Sequence, residues 1–261
     1  MEIIMNELVY AEKLLEDRRL GSHPTEILSR MAKYYMYHGK SSAEVRKLLE
    51  RFVMSCDDAA SVVILSDRID SAIKYAAKHP LVIIEKIPIT KSEIDAVKEL
   101  EGVQLQRLAF TVLCIAKYYH ECNSENMYWI QMRDSDIMKM ANINTSIKRQ
   151  SLMFSKLRDA GMIRFSNKVD DLGIQVLFTD EDEAPVLDIK DMRNVGYQYM
   201  KYIGGDYYTC VNCGITFKGK QKESAGRPPK YCSDCAIKIR TRQQVESVMR
   251  RRREKSVGKS A

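Results

Sequence analysis

Thr145-Ser-Ile-Lys-Arg-Gln-Ser-Leu-Met-Phe154-Ser-Lys-Leu157-Arg-Asp-Ala-Gly161-Met-Ile-Arg-Phe165 is the stretch that decides how the middle of this chain folds. Thr145 can cap a helix that runs to Ala160. Phe154 and Leu157, seven and four residues before Gly161, face inward, with Ile147 expected beside them. Gly161 suits the left-handed residue that ends a helix. Met162–Ser166 then reads as a strand, Asn167–Gly173 as a turn-rich tip, and Ile174–Thr179 as a returning strand, by alternation and β-propensity. Upstream, Leu105–His120 is an apolar helix and Asn123–Asn126 a turn. Met127–Ile130 reads as a short extended piece. Ser135–Met140 is a short helix with Asp134 as its cap, and Ala141–Asn144 a tight connection.

That order over about Leu105–Asp180 resembles the winged helix-turn-helix fold. Phe154-x-x-Leu157-x-x-x-Gly161-Met162-Ile163 looks like its passage from third helix into wing. The resemblance implies that the helix Thr145–Ala160 enters the major groove of DNA. Ser146, Lys148, Arg149, Gln150 and Lys156 are then the outward residues. Arginine and glutamine are types that read guanine and adenine edges. Lys168, in the wing, would reach a phosphate. Winged helices that bind only protein share the same order of elements.

Toward the C-terminus, Cys210-Val-Asn-Cys213 and Cys232-Ser-Asp-Cys235 are separated by eighteen residues. Two tight turns of this kind supply the four tetrahedral thiolates of a closed structural zinc site. One structural Zn²⁺ is expected, with Phe217 and Tyr231 covering it. Four thiolates leave no open position for catalysis. A helix-forming run, Ala236–Arg253, follows the second pair, and a helix N-terminus favours negative thiolates. The arrangement resembles treble-clef zinc fingers, with a zinc ribbon as the alternative. Cys56, Cys114 and Cys122 are expected to be buried as small hydrophobes.

Charge is unevenly spread. From Lys218 to Ala261 there are fourteen Lys/Arg against four Asp/Glu, a net of +10 that leaves −3 on the other 217 residues. Lys238, Arg240, Arg242, Arg250, Arg251, Arg252 and Arg253 follow the second cysteine pair, and a polyanionic partner is implied. Nucleic acid is the expected one, DNA ahead of RNA.

Residues 1–100 read as helices: Glu2–Arg19, Pro24–Tyr37, a third capped by Ser41 or Ser42, and a fourth from about Asp57 to His79. Leu81–Ile89 is left open between strand, short helix and connector. Thr90-Lys-Ser-Glu93 is a capping box that starts a short helix to Leu100. This region is a scaffold or a protein-interaction domain. Residues 101–180 form the winged helix, 181–205 an acidic linker followed by a helix, and 206–261 the cysteine module with its basic helix. The expected class is mainly α, with a small β-wing.

No segment is apolar for long enough to span a bilayer, and the acidic start does not resemble a signal peptide. A cytoplasmic protein without membrane contact is expected. No enzyme motif such as G-x-S-x-G or H-E-x-x-H is present. The combination of modules looks like regulatory or replication proteins of phages and mobile elements. The competing expectation is a protein-assembly adaptor.

Overall fold

The computed structural model describes residues 3–56, 61–167, 173–219 and 228–257, with side chains as far as Arg251. It contains ten α-helices and seven short strands among these residues, so the chain is mainly α. It divides into two compact units, Glu2–Ile87 and Pro88–Ala261.

The first unit is built from α1 (Glu7–Asp17), α2 (Pro24–Tyr37), α3 (Ser42–Ser55) and α4 (Val62–Ala76). Their apolar faces close over Leu28, Met31, Val45, Leu49, Phe52, Leu65 and Ile69. Of the two serines considered as the third cap, Ser41 is the one used, in a full capping box with Glu44. Ser61 caps α4, and the earlier start expected near Asp57 falls outside the described residues. Glu7 and Lys33 form a buried ion pair at 2.9 Å, and Glu7 also accepts from the backbone N–H of Val82. Pairing with both a cation and an N–H offsets the cost of burying that carboxylate. Part of the open stretch Leu81–Ile89 is thereby settled: Ile83 bridges Asn6 as extended chain.

β1 (Ile87–Thr90) starts on the last residue of the first unit, and the second unit continues with α5 (Lys91–Lys98) and α6 (Val103–Cys122). The Thr90–Glu93 capping box forms as its sequence predicts, and α5 ends at Lys98 rather than Leu100. The boundary between the units lies at Ile87/Pro88 rather than near residue 100. The reason is that Glu93 is fully buried and its carboxylate meets Lys117 Nζ of α6 at 2.8 Å, which ties α5 into this unit.

After α6 come β2 (Trp129–Ile130), α7 (Asp134–Met140), α8 (Ile147–Asp159), β3 (Ile163–Phe165) and β4 (Ile174–Val176). The three strands form one antiparallel sheet in the order β2-β4-β3. Asp134 lies inside α7, with Arg133 at the cap position, instead of capping it. Phe154 and Leu157 are buried and Gly161 is left-handed (φ 71°), as the opening stretch predicts.

The acidic segment at 180–183 is not a free linker. Asp180 and Glu183 accept hydrogen bonds from Ser92 at the start of α5, and the Asp180 N–H donates to Glu93. Carboxylates at a helix N-terminus satisfy unpaired donors and complement the helix dipole. The chain then forms β5 (Pro185–Ile189), paired with β1, and α9 (Val195–Tyr202). Tyr199 of α9 is fully buried against Phe110, with ring centroids 5.2 Å apart, and donates to Gln106 Oε1 at 3.0 Å. Gly196 permits this close docking: a Cβ there would sit 2.0 Å from the Ala141 carbonyl oxygen. No helix among the described residues is long and apolar enough to cross a membrane.

Candidate metal centre

A hairpin, β6 (Tyr207–Thr209) with β7 (Thr216–Lys218), carries the first cysteine pair in its turn, and α10 (Ser233–Val257) carries the second at its start. Gly214, at φ 76°, lets the chain close the knuckle, and its N–H bonds back to the Cys210 carbonyl at 2.9 Å. Cys232 directly precedes α10 and its carbonyl accepts from Ala236 N–H, so Cys232 and Cys235 flank the first turn.

Cys210, Cys213, Cys232 and Cys235 thus converge, all four sulfurs lying within 4.8 Å of one another. The Cys213 and Cys232 sulfurs are 3.8 Å apart. A tetrahedron of sulfurs about 2.3 Å from a central ion has edges of about 3.8 Å. The cluster therefore has the donor chemistry and the size to hold a metal ion. Cys210, Cys232 and Cys235 are buried, with Ile215 and Phe217 packed on them. Tyr231, expected to help cover the site, instead stands exposed, because the turn before α10 directs it to solvent.

The electrostatics favour thiolate at one position. Burial opposes charge on Cys210. Backbone N–H donors from Cys232, Cys213 and Asn212 overcome it and bring that thiol down to about 6. Burial and the neighbouring sulfurs push Cys213 up to about 12, and burial also raises Cys232. The protein stabilises the thiolate of Cys210, while Cys213 and Cys232 need a nearby cation to ionise. Asn212 Nδ2 adds a donor to Cys235 Sγ at 3.3 Å, the kind of outer contact that orients a metal ligand.

The module is fastened to the rest of its unit by polar contacts that sequence spacing does not reveal. Arg193, paired with Asp191, donates to the Cys213 carbonyl at 2.6 Å. Asn194 donates to the Thr216 carbonyl of β7 and accepts from Asn142 in the α7–α8 turn. No family model, curated protein or solved structure matches this chain.

The residues expected to touch nucleic acid fall in two places. On α8, Lys148, Arg149 and Lys156 are exposed, and Arg149 leans toward Gln104 Oε1 at 3.4 Å. Two neighbours are otherwise engaged. Ser146, not Thr145, is the helix cap and accepts from Arg149 N–H, while Gln150 folds back to donate to the Thr145 carbonyl. Ile147 does not face inward: it is 81% exposed, because it occupies the first turn, before the buried stripe begins at Met153.

On α10, Lys238, Arg240, Arg242, Arg250 and Arg251 are exposed, with Arg242 paired to Glu246 at 2.9 Å. The α10 backbone includes Arg252 and Arg253, whose side chains lie outside the described residues, as does Lys168. Of the remaining cysteines, Cys56 and Cys114 are buried. Cys122 is exposed, because it closes the last turn of α6 beyond that helix's buried stretch.

Proposed function

We propose that this chain is a nucleic-acid-binding protein of the cytoplasm, without catalytic activity, whose cysteine centre is a structural zinc site. The observation that carries the reading is α10. Its first turn is fixed by Cys232 and Cys235, while nearly every residue from Ile237 to Arg251 is exposed, five of them basic. A helix exposed on nearly every side joins no core, and its cations, interleaved with the exposed Ile237, Val245, Val248 and Met249, are suited to a charged partner. Closely spaced cations along it would displace condensed counterions from phosphates. Four thiolates with this geometry favour zinc as a structural ion.

The middle of the chain supports the same reading. The order α6, β2, α7, α8, β3, β4, with β4 between β2 and β3, is what a winged helix requires. Lys148, Arg149 and Lys156 then lie on the helix that would meet DNA. DNA is preferred to RNA on that resemblance. The role is that of a regulator or a replication-initiation accessory factor of the phage or mobile-element kind, with Glu2–Ile87 available to a protein partner. A second reading, a protein-assembly adaptor, draws on Ile147 and Leu152, which are 81% and 55% exposed on α8 and would suit a protein surface.

The test replaces Lys238, Arg240 and Arg242 together with glutamine. Low-salt gel shifts are expected to weaken by at least about tenfold, since counterion release scales with the phosphates neutralised. Unchanged affinity with unchanged metal content would remove α10 from the interface.

A further inference from the structure

The register of the three-stranded sheet places Trp129 opposite Gln175, and Gln175 opposite Arg164. The pleat puts these three side chains on one face. The flanking pairs, Ile130 with Ile174 and Ile163 with Val176, point the other way and are buried. Trp129 is half-buried and Arg164 exposed, with the guanidinium 5.7 Å from the centroid of the indole ring. The contact that the Arg164 guanidinium makes among the described residues is with the indole, and no carboxylate there pairs with it.

Gln175, only 9% exposed, donates through Nε2 to the Met127 carbonyl at 2.8 Å. Its Oε1 is buried and has no hydrogen-bond partner among the described residues. A buried amide oxygen left in this state costs free energy until something donates to it. Two consecutive non-glycine residues, Met127 and Tyr128, are left-handed (φ 51° and 63°) just before Trp129, and β4 holds both through Gln175 Nε2 and Val176 N–H. Conformations of that kind persist only where the surroundings enforce them. The backbone that leads into Trp129 is therefore held by β4.

We propose that the Trp129–Gln175–Arg164 row is a stacking site for an unpaired nucleobase of single-stranded nucleic acid. An aromatic plane, a guanidinium that lies over it with no carboxylate partner among the described residues, and an amide whose acceptor has no partner among them match the three parts of an unpaired nucleotide. The base displaces the guanidinium from over the indole and stacks there, the displaced cation meets the phosphate or the outer π-face, and the opening of the row lets an amino or imino hydrogen of the base edge reach Gln175 Oε1. A duplex keeps its base faces against one another, so only an unpaired base offers the face that Trp129 needs. This inference rests on the nucleic-acid reading above but concerns a different surface from α8 and α10.

Trp129 is the single tryptophan of the chain, so emission excited beyond the tyrosine absorption band reports on this site. The metal-loaded full chain is titrated at low salt with an unlabelled single-stranded dodecamer and with the duplex of the same sequence. Binding is followed in parallel by anisotropy of labelled copies. Emission is expected to fall as the single strand binds and to change little with duplex. Arg164→Gln is expected to weaken single-strand binding about tenfold without altering helix content.

Anisotropy that reports single-strand binding while emission stays constant, or while Arg164→Gln binds as wild type, overturns the stacking site and leaves the nucleic-acid reading standing. Equal quenching by the duplex overturns the preference for unpaired bases. No anisotropy change with either probe overturns both.

Discussion

Replacing Cys232 with serine is expected to release the metal and unfold the C-terminal module, while the helices of Glu2–Ile87 stay intact. The module has almost no apolar core of its own. Three cysteines are buried, and Cys213, Ile215 and Phe217 are partly buried against them. Its strands are three residues each, too short to be stable without support. Binding of zinc to four cysteines is worth about 10 kcal/mol or more in small modules, and that binding energy is their folding energy. Serine supplies a poor ligand and leaves three sulfurs with an open position.

If the centre holds zinc as proposed, metal analysis should fall from about one ion per chain to nearly none. Hydrogen exchange should rise across Tyr207–Lys218 and the first turn of α10, and stay unchanged across Pro24–Tyr37. Retained metal would mean that Cys232 is not a ligand the site needs, and loss of metal with unaltered exchange in the hairpin would mean that the module folds without it.

Lys117→Ala is the second large effect expected, and it falls on stability. Glu93 is fully buried and its carboxylate serves three partners: Lys117 Nζ, the Thr90 N–H and the Asp180 N–H. Removing the cation leaves a buried charge with two amide donors. Breaking a buried pair in this one-sided way costs about 3–5 kcal/mol. For a unit of this size that is a fall in Tm of about 10 °C. Lys98→Ala is the control: its partner Asp95 is exposed and the pair is on the surface, so the loss should stay below about 1 kcal/mol. Thermal melts of the two variants decide the point, and equal shifts would show that the Glu93–Lys117 pair carries no special share of stability.

The helices and the cysteine cluster were legible because their signals are local. Apolar residues at helical spacing predict α1 to α4, Thr90 and Glu93 predict their capping box, and two C-x-x-C turns predict four converging sulfurs. What was not legible depends on contacts distant in sequence. The acidic run at 180–183 has the composition of a linker, and only the position of Ser92 in space makes it a cap for α5. Met192, Val195, Tyr199 and Tyr202 at helical spacing predict a helix at α9 but not its seat against Phe110 and Ala141. On α8, periodicity placed Phe154 and Leu157 correctly and misplaced Ile147. The first turn of a helix extends past the core it later joins, and Gln150 reached a carbonyl that spacing could not foresee. The Trp129–Gln175–Arg164 row exists only through strand register, which short strands do not declare.

The most direct test of the central claim, that a metal-rooted basic helix binds nucleic acid, is a salt titration of the full chain on a labelled duplex, with metal bound and after chelation. With metal, the logarithm of affinity should fall linearly with the logarithm of salt concentration, with a slope of about −4, as for four or five neutralised phosphates. Chelation should lower affinity at every salt concentration by freeing the start of α10. No binding at low salt, or binding indifferent to both salt and chelation, would contradict the account.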